Sequence, residues 1–373
     1  MKGNQLKCLI LACVLAVMSV LSGCGFKDID KRFFVVSIGV DRSDKPPAKY
    51  KVELKLAIPS SEEKFGSNLF IIVTEEAETI TEAVRIMKSK VDKELDFGHA
   101  KAIVFGEKFI KDKHALSEVL DWFVRRRDIQ MISWVGMGRP DAMSILMLNP
   151  QSERLPSNMI FLSFGQTGTH TSYIVSEYLF DMRRRLKERG LDPILPIIEK
   201  RSKDQIQINK VALFSKEEFV MELDSEETKI LNTFYQNIGK SDVKVYDGEH
   251  TFIVSVDDIQ SNIRVIRSAG GRELPRVEVA VKMNGIIEEA KHSISLSKLK
   301  SYERLTEKEI ADRAQKLFNR MQKAGIDLLG IGLKYRSTHM TDQADWEQWQ
   351  SQYRDIPITV QAKVKLQGTG VIE

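Results

Sequence analysis

Tyr50, Val52, Leu54, Leu56 and Ile58 alternate with Lys51, Glu53, Lys55 and Ala57, a period of two that predicts a strand with one buried face. The apolar runs FFVVSIGV (Phe33–Val40) and LFIIVT (Leu69–Thr74) predict a strand on either side of it. Then the period changes. Thr79-Ile-Thr-Glu82 has the form of a capping box, and Ile80, Ala83, Val84, Met87 and Val91 place an apolar stripe on the helix it opens. A strand at Lys101–Phe105, a helix marked by Leu116, Val119, Leu120 and Phe123, and a strand at Ile129–Val135 follow. Pro140 suits the first turn of a short helix running to Leu148.

Asn149-Pro150 and the run to Pro156 break the pattern. Beyond it a long helix is expected over Ser172–Arg189, closed by Gly190. The two prolines of LDPILPIIEK (Leu191–Lys200) suit an edge or a crossing segment rather than a central strand. The polar stretch Arg201–Gln205 is the expected major boundary, and a second α/β unit starts there. It comprises a strand at Gln205–Phe214, the short strand FVMEL, a helix from Ser225 to Ile238, and a meander at Thr251–Val256, Asn262–Ser268 and Arg276–Ile287 with a turn at Ala269–Arg272. Thr306-Glu-Lys-Glu309 reads as another capping box, opening a helix with Ile310, Ala314, Leu317 and Met321 on one face and a stop at Gly325. A helix around Trp346 and Trp349 and a strand at Ile356–Leu366 complete the pattern. Strands and helices mix without a strict βαβ rhythm, which makes the fold class α+β.

The N-terminus follows another logic. Lys2 and Lys7 precede an almost wholly apolar run of 14 residues, Cys8–Leu21, and small residues lead into Cys24. This is the layout of a secretory signal, and the run is shorter than the ~20 apolar residues of a membrane span. Leu21-Ser-Gly-Cys24 further resembles the bacterial lipobox, in which the cysteine sulfur receives a diacylglycerol and the leader is cut before it. The expected organisation is therefore a leader over 1–23, an N-terminal region over 24–200 that divides into two α/β subdomains, and a C-terminal α/β domain over 205–373. Two acyl chains hold a protein durably where one does not. Cys8 and Cys13 would leave with the leader, so the exported body has no disulfide and rests on its core, for which 42% hydrophobic residues in 373 suffice. Loss of Lys2 and Lys7 lowers the formal charge from +4 to +2, a balance that does not point to nucleic acid. Phe33 lies only nine residues after Cys24, a tether of at most about 30 Å.

Candidate chemistry is sparse. His99, His114, His170, His250, His292 and His339 are scattered without H-x-H or H-E-x-x-H spacing, so neither a metal nor another cofactor is expected. GQTGTH (Gly165–His170) lacks the G-K-[ST] ending of a phosphate loop and reads as a plain loop. His99 is expected to bond a nearby backbone group rather than a metal. The triplets Arg125–Arg127 and Arg183–Arg185 sit near helix C-termini, where cations suit the dipole. They read as solvated helix ends, or as contacts to anionic lipid head groups. Trp346, Trp349 and Tyr353 form a stripe that reads as packing, with a sugar- or partner-binding platform as the alternative.

These stretches together resemble the Ger(x)C-type spore germination lipoproteins, the C subunits of nutrient germinant receptors. The likeness is carried by CGFKDIDKRFFVVSIGVD, DFGHAKAIVFGE, FVRRRDIQ and KVALFSKEEFVMELDSEET, and most of all by Gln322 with AGIDLLGIG (Ala324–Gly332), DWEQWQ and a strand ending in Gly368-Thr-Gly370. Met221 departs from the glycine frequent in the family's hairpin. The resemblance implies an elongated α+β body of three domains, each a mixed sheet with surrounding helices. It also implies anchoring on the outer face of the spore inner membrane beside integral-membrane receptor subunits, and no catalytic residue. Cys24 alone carries over as a functional position, bearing diacylglycerol and N-acyl lipid. The favoured reading is a non-enzymatic receptor subunit required for nutrient-triggered germination, with small-molecule germinant binding by this subunit left open. The alternatives are an extracytoplasmic solute-binding lipoprotein and, last, a surface-anchored hydrolase.

Overall fold

A computed structural model describes residues 31–57, 70–148, 157–165, 171–236, 238–246, 248, 251–266, 274–291, 293–339 and 342–368, with isolated positions 3, 5, 7 and 11. Phe33–Glu373 forms one compact unit. No helix among the described residues is long and apolar enough to cross a membrane.

The chain opens with an antiparallel meander, β1 (Arg32–Arg42), β2 (Tyr50–Ala57) and β3 (Phe70–Ala77). The Thr79 side chain then accepts the Glu82 amide and starts α1 (Ile80–Lys88), whose buried face is Ile80, Ala83, Val84 and Met87, as the spacing predicts. β4 (Glu94–Asp96) pairs with β1, and β5 (Ala102–Gly106) lies parallel to β1. After α2 (Glu107–Ile110) and α3 (Ala115–Arg125), β6 (Trp134–Arg139) adds parallel to β5. Two short helices follow, α4 (Ala142–Leu146) and α5 (Ser157–Phe164). Then come α6 (Leu179–Lys187), β7 (Ile194–Lys200) parallel to β6, and the antiparallel β8 (Ile206–Phe214) and β9 (Phe219–Leu223). The result is one nine-stranded mixed sheet in the order β3-β2-β1-β5-β6-β7-β8-β9, with β4 beside β1.

A second sheet of four strands follows α7 (Ser225–Tyr235): β10 (Ser241–Tyr246), β11 (Thr251–Ile266), β12 (Arg276–Ala290) and, after three helices, β13 (Ile358–Leu366) parallel to β12. The intervening helices are α8 (Leu299–Lys323), α9 (Ile331–His339) and α10 (Gln343–Gln352). Asp224 and Glu227 make a reciprocal capping box on α7. Ile310, Ala314, Leu317 and Met321 of α8 pack into a core lined by Val254, Val279 and Val281 of the sheet.

The α+β class expected from the sequence is the one adopted, yet several elements differ from their expected form. β7 is central rather than an edge: its ladder to β6 begins at Ile197, one residue past Pro196, so the missing proline N–H falls outside that pairing. β8 pairs with β7 across the hairpin at Arg201–Gln205. The helix expected over Ser172–Arg189 is confined to α6. Asn232 donates to the carbonyls of Ser172 and Ile174, and Gln236 to that of Ser176, which satisfies this stretch without helical bonds. Thr306 lies inside α8 with its hydroxyl on the Tyr302 carbonyl, so the helix starts at Leu299 instead of at a capping box. Asp141, not Pro140, is adjacent to the first turn of α4, and its side chain accepts the Ser144 amide. β6 starts at Trp134 because Ser133 closes a turn onto the Gln130 carbonyl. The two strands expected at Thr251–Val256 and Asn262–Ser268 are one, β11. The expected turn at Ala269–Arg272 lies outside the described residues, as does the break from Asn149 to Pro156.

Candidate functional site

Cys24, with its whole lipobox, lies outside the described residues, as do His170, His250 and His292. His99 is exposed and sets its ring edge-on to Phe34, with centroids 4.5 Å apart. Among the described residues no group of three His, Cys, Asp or Glu is placed to hold a metal ion.

The two arginine triplets part company. Arg126 pairs with Asp128 and lies over the rings of Phe97 and Trp122, while Arg125 faces Asp121 across an exposed helix turn. Arg185 is 6% exposed and is not a solvated helix end. Its Nη1 donates to the carbonyls of Asp192 and Leu328 at 3.0 and 3.1 Å, and its Nε lies 3.2 Å from Glu177 without hydrogen-bond geometry. Tyr235 stands beneath the guanidinium at 4.6 Å and donates its hydroxyl to Glu177 at 2.6 Å. Burial pushes the Glu177 carboxyl up to about 7, against the pull of Arg185 and of the Tyr235 hydroxyl.

Arg185 thereby joins α6 and the start of β7 to the loop before α9, which is the AGIDLLGIG stretch. Asp327 is the centre of that loop: its carboxylate accepts the amides of Ile331 and Gly332 at 2.9 and 2.6 Å, which anchors the start of α9. Its own amide donates to Asp192 at 2.7 Å, and its carbonyl accepts the Asp192 amide at the same distance. Burial raises Asp327 to about 7, even though the surrounding amides favour its charged form. Lys216 closes the cluster, donating to the carbonyls of Arg185 and Leu191. Gly190 and Gly332 meet backbone to backbone at this seam, and Leu333 N donates to Gly190 O at 3.0 Å.

The aromatic stripe backs the same loop. Trp349 stacks on Tyr335 with centroids 4.3 Å apart, and Tyr353 donates its hydroxyl to Ile326 O. Gln322, buried, spans the carbonyls of Tyr353 and Ile356. Trp346 and Trp349 are both buried, so the stripe is packing rather than an open platform. A cavity of about 480 Å³ opens beside the seam, lined by Arg184, Arg185, Phe234, Leu329, Leu333 and Lys334 among others.

Away from the seam, charge is buried in two further places. Lys51, Glu53 and Lys55 were expected on a solvated face of β2, but Glu53 and Lys55 are 0% and 2% exposed beneath α4. Lys55 donates to the carbonyls of Leu146 and Leu148 at 2.7 and 2.9 Å, and burial lowers it to about 7. Burial and the neighbouring Asp41 carboxylate push Glu53 up to about 9. Asp41 itself accepts the amides of Ala142 and Met143, so the polar layer holds α4 at both ends. At the end of β6, Arg139 binds Glu107, Glu199 and Glu222 at 2.7–2.9 Å.

Two of these residues left a trace in the sequence. Leu179, Met182, Arg185 and Leu186 share a helical face, so Arg185 occupies an apolar stripe. Asp327 interrupts an apolar run, where a lone carboxylate needs partners. The alternation Lys51-x-Glu53-x-Lys55 carries no such mark, because a buried polar face and a wet one have the same period.

Two family profiles match the chain, one described as "Spore germination protein N-terminal domain" over residues 25–200 and one as "Spore germination B3/ GerAC like, C-terminal" over residues 209–370. The chain belongs to the GerAC-type spore germination protein family. Relatives in this GerAC family include spore germination protein KC of Bacillus subtilis (strain 168), 22% identical, aligned over 98% of this chain and 96% of its own length. Spore germination protein B3 of the same organism is 23% identical over 81% of each chain. The crystal structure of the GerBC protein superposes with a TM-score of 0.55 at 16% identity, covering 89% of this chain and 97% of that one, and this establishes the shared multi-domain fold.

Proposed function

We propose that this GerAC-family chain is a lipid-anchored, non-enzymatic subunit of a spore nutrient germinant receptor. In this reading acylated Cys24 holds it at the outer face of the spore inner membrane, and it acts through contacts with integral-membrane receptor subunits. The observation that carries the proposal is the match of both family profiles, over residues 25–200 and 209–370. The seam supports it: Arg185, Glu177, Asp192 and Asp327 are spent on joining elements to one another, the chemistry of a fixed contact body rather than of turnover. Anchoring would turn a bulk encounter with membrane partners into one between co-anchored molecules, raising the effective concentration.

The test is Cys24→Ala in spores. The expected outcome is loss of the protein from the membrane fraction and a slowed response to nutrients, with the thermal unfolding of the remaining chain unchanged. Wild-type germination together with wild-type membrane retention would refute the proposal.

A further inference from the structure

Three of the side chains around the seam cavity are cations, Arg184, Arg185 and Lys334, and none is a carboxylate. The walls are apolar, formed by Leu191, Phe234, Leu328, Leu329 and Leu333, and the hydroxyls of Tyr235 and Ser337 complete the lining. Arg185 is the unusual member, because it is buried, lines the cavity and has an Nε without a hydrogen-bond partner among the described residues. Its Nε faces the Glu177 carboxylate at 3.2 Å, on the side turned toward Tyr235. Arg184 pairs at the surface with Asp181 at 3.1 Å, and among the described residues Lys334 donates to a backbone carbonyl, that of Ile263. The cavity lining thus sets three cations over an apolar floor, with Asp181 and Glu177 pairing the two arginines from outside the lining.

The geometry points to a binding site in this cavity for a small amphipathic carboxylate, its anion held by Arg184, Arg185 and Lys334 and its apolar body against Leu329, Leu333 and Phe234. A zwitterion suits it poorly, since no lining carboxylate receives an ammonium group. A volume of about 480 Å³ accommodates a compact ligand at the small end of known sites. Charge-assisted bonds to guanidinium and ammonium groups supply the orientation, and burial of the body supplies the remaining affinity. The site goes beyond the receptor-subunit reading and does not rest on it.

The probe is 3-phenylpropionate, an aryl carboxylate of about ten non-hydrogen atoms, with 3-phenylpropylamine and 3-phenylpropanol as its cationic and neutral counterparts. Calorimetric titration of the full-length chain is expected to give saturable binding of the acid with a dissociation constant below about 1 mM, and at least about tenfold weaker binding of the amine and the alcohol. Arg184→Gln with Lys334→Gln, both exposed, should weaken the acid by about tenfold while leaving the unfolding midpoint in place. Leu329→Trp should fill the cavity and abolish binding. No saturable binding of the acid below about 10 mM would overturn the assignment. So would equal binding of all three probes, or undiminished affinity in the double variant.

Discussion

Gly190→Ala is the sharpest test of the seam, because two backbones touch there. Gly190 has φ of +76°, and a Cβ on it would lie 2.4 Å from the Gly332 carbonyl carbon, 2.5 Å from Leu333 N and 2.7 Å from Gly332 Cα. Two penalties add. A side chain in the left-handed region costs about 1 kcal/mol. The collision is with backbone, which cannot swing aside as the end of a side chain can, so it costs the ~2–3 kcal/mol of an overpacked site and strains the bond from Leu333 N to Gly190 O. The expected loss is about 3–4 kcal/mol, a large share of a typical ~5–15 kcal/mol stability. Gly248→Ala isolates the first penalty, since its φ is +95° and no atom of the described residues lies within 4 Å of the added carbon, and it should lose only about 1 kcal/mol. Urea unfolding followed by tryptophan fluorescence reads the difference, with the Trp349 ring nitrogen beside Gly332 as a local reporter. If Gly190→Ala loses no more than Gly248→Ala, the backbone contact is not what holds the seam.

Two further predictions concern buried charge. Glu53 is raised from 4.5 to about 9, so between those values the folded chain keeps a proton that the unfolded chain has released, and stability falls as pH rises through the interval. Glu53→Gln removes that slope, and from pH 5 to pH 8 it should gain about 4 kcal/mol relative to the parent in urea titrations at the two pH values; parallel pH dependences would refute it. Arg139→Met leaves Glu107, Glu199 and Glu222 facing one another without their shared cation. With Arg139 still 25% exposed, the expected loss at pH 7 is about 2 kcal/mol, below that of a fully buried pair. Glu107 and Glu199 are held below their ordinary value despite burial, Glu107 by Arg139 and Lys111 and Glu199 by Lys210 and Arg139, so the loss should shrink toward pH 4 as they protonate; a constant loss would point to packing instead.

Local periodicity made most of the fold legible. The stripe Ile80–Val84–Met87 and the face Ile310–Ala314–Leu317–Met321 bury as their spacing demands, and Gly325 ends α8 with φ of +77°. What periodicity cannot carry is a partner distant in the chain. Ser172–Ser176 looks helical until Asn232 and Gln236, some 60 residues on, take its carbonyls. Pro196 reads as an edge signal until β6 starts its ladder one residue later. The pairing of β8 with β7 across Arg201–Gln205 is likewise nothing that a polar linker composition reveals. The candidate site was half legible. Trp349 and Gln322 stood out by pattern and resemblance, whereas the reciprocal hydrogen bonds between Asp192 and Asp327 needed the fold to bring them together.

The outer margin of β13 is occupied by side chains from α8. Glu303, Glu307 and Gln315 accept the amides of Leu366, Val364 and Val360, and Gln315 returns a bond to Ile358 O. A foreign strand arriving there would find its docking amides already taken and a row of carboxylates in the way. Crowding such molecules on a surface therefore cannot extend this sheet from one copy to the next across that margin, whatever the local concentration.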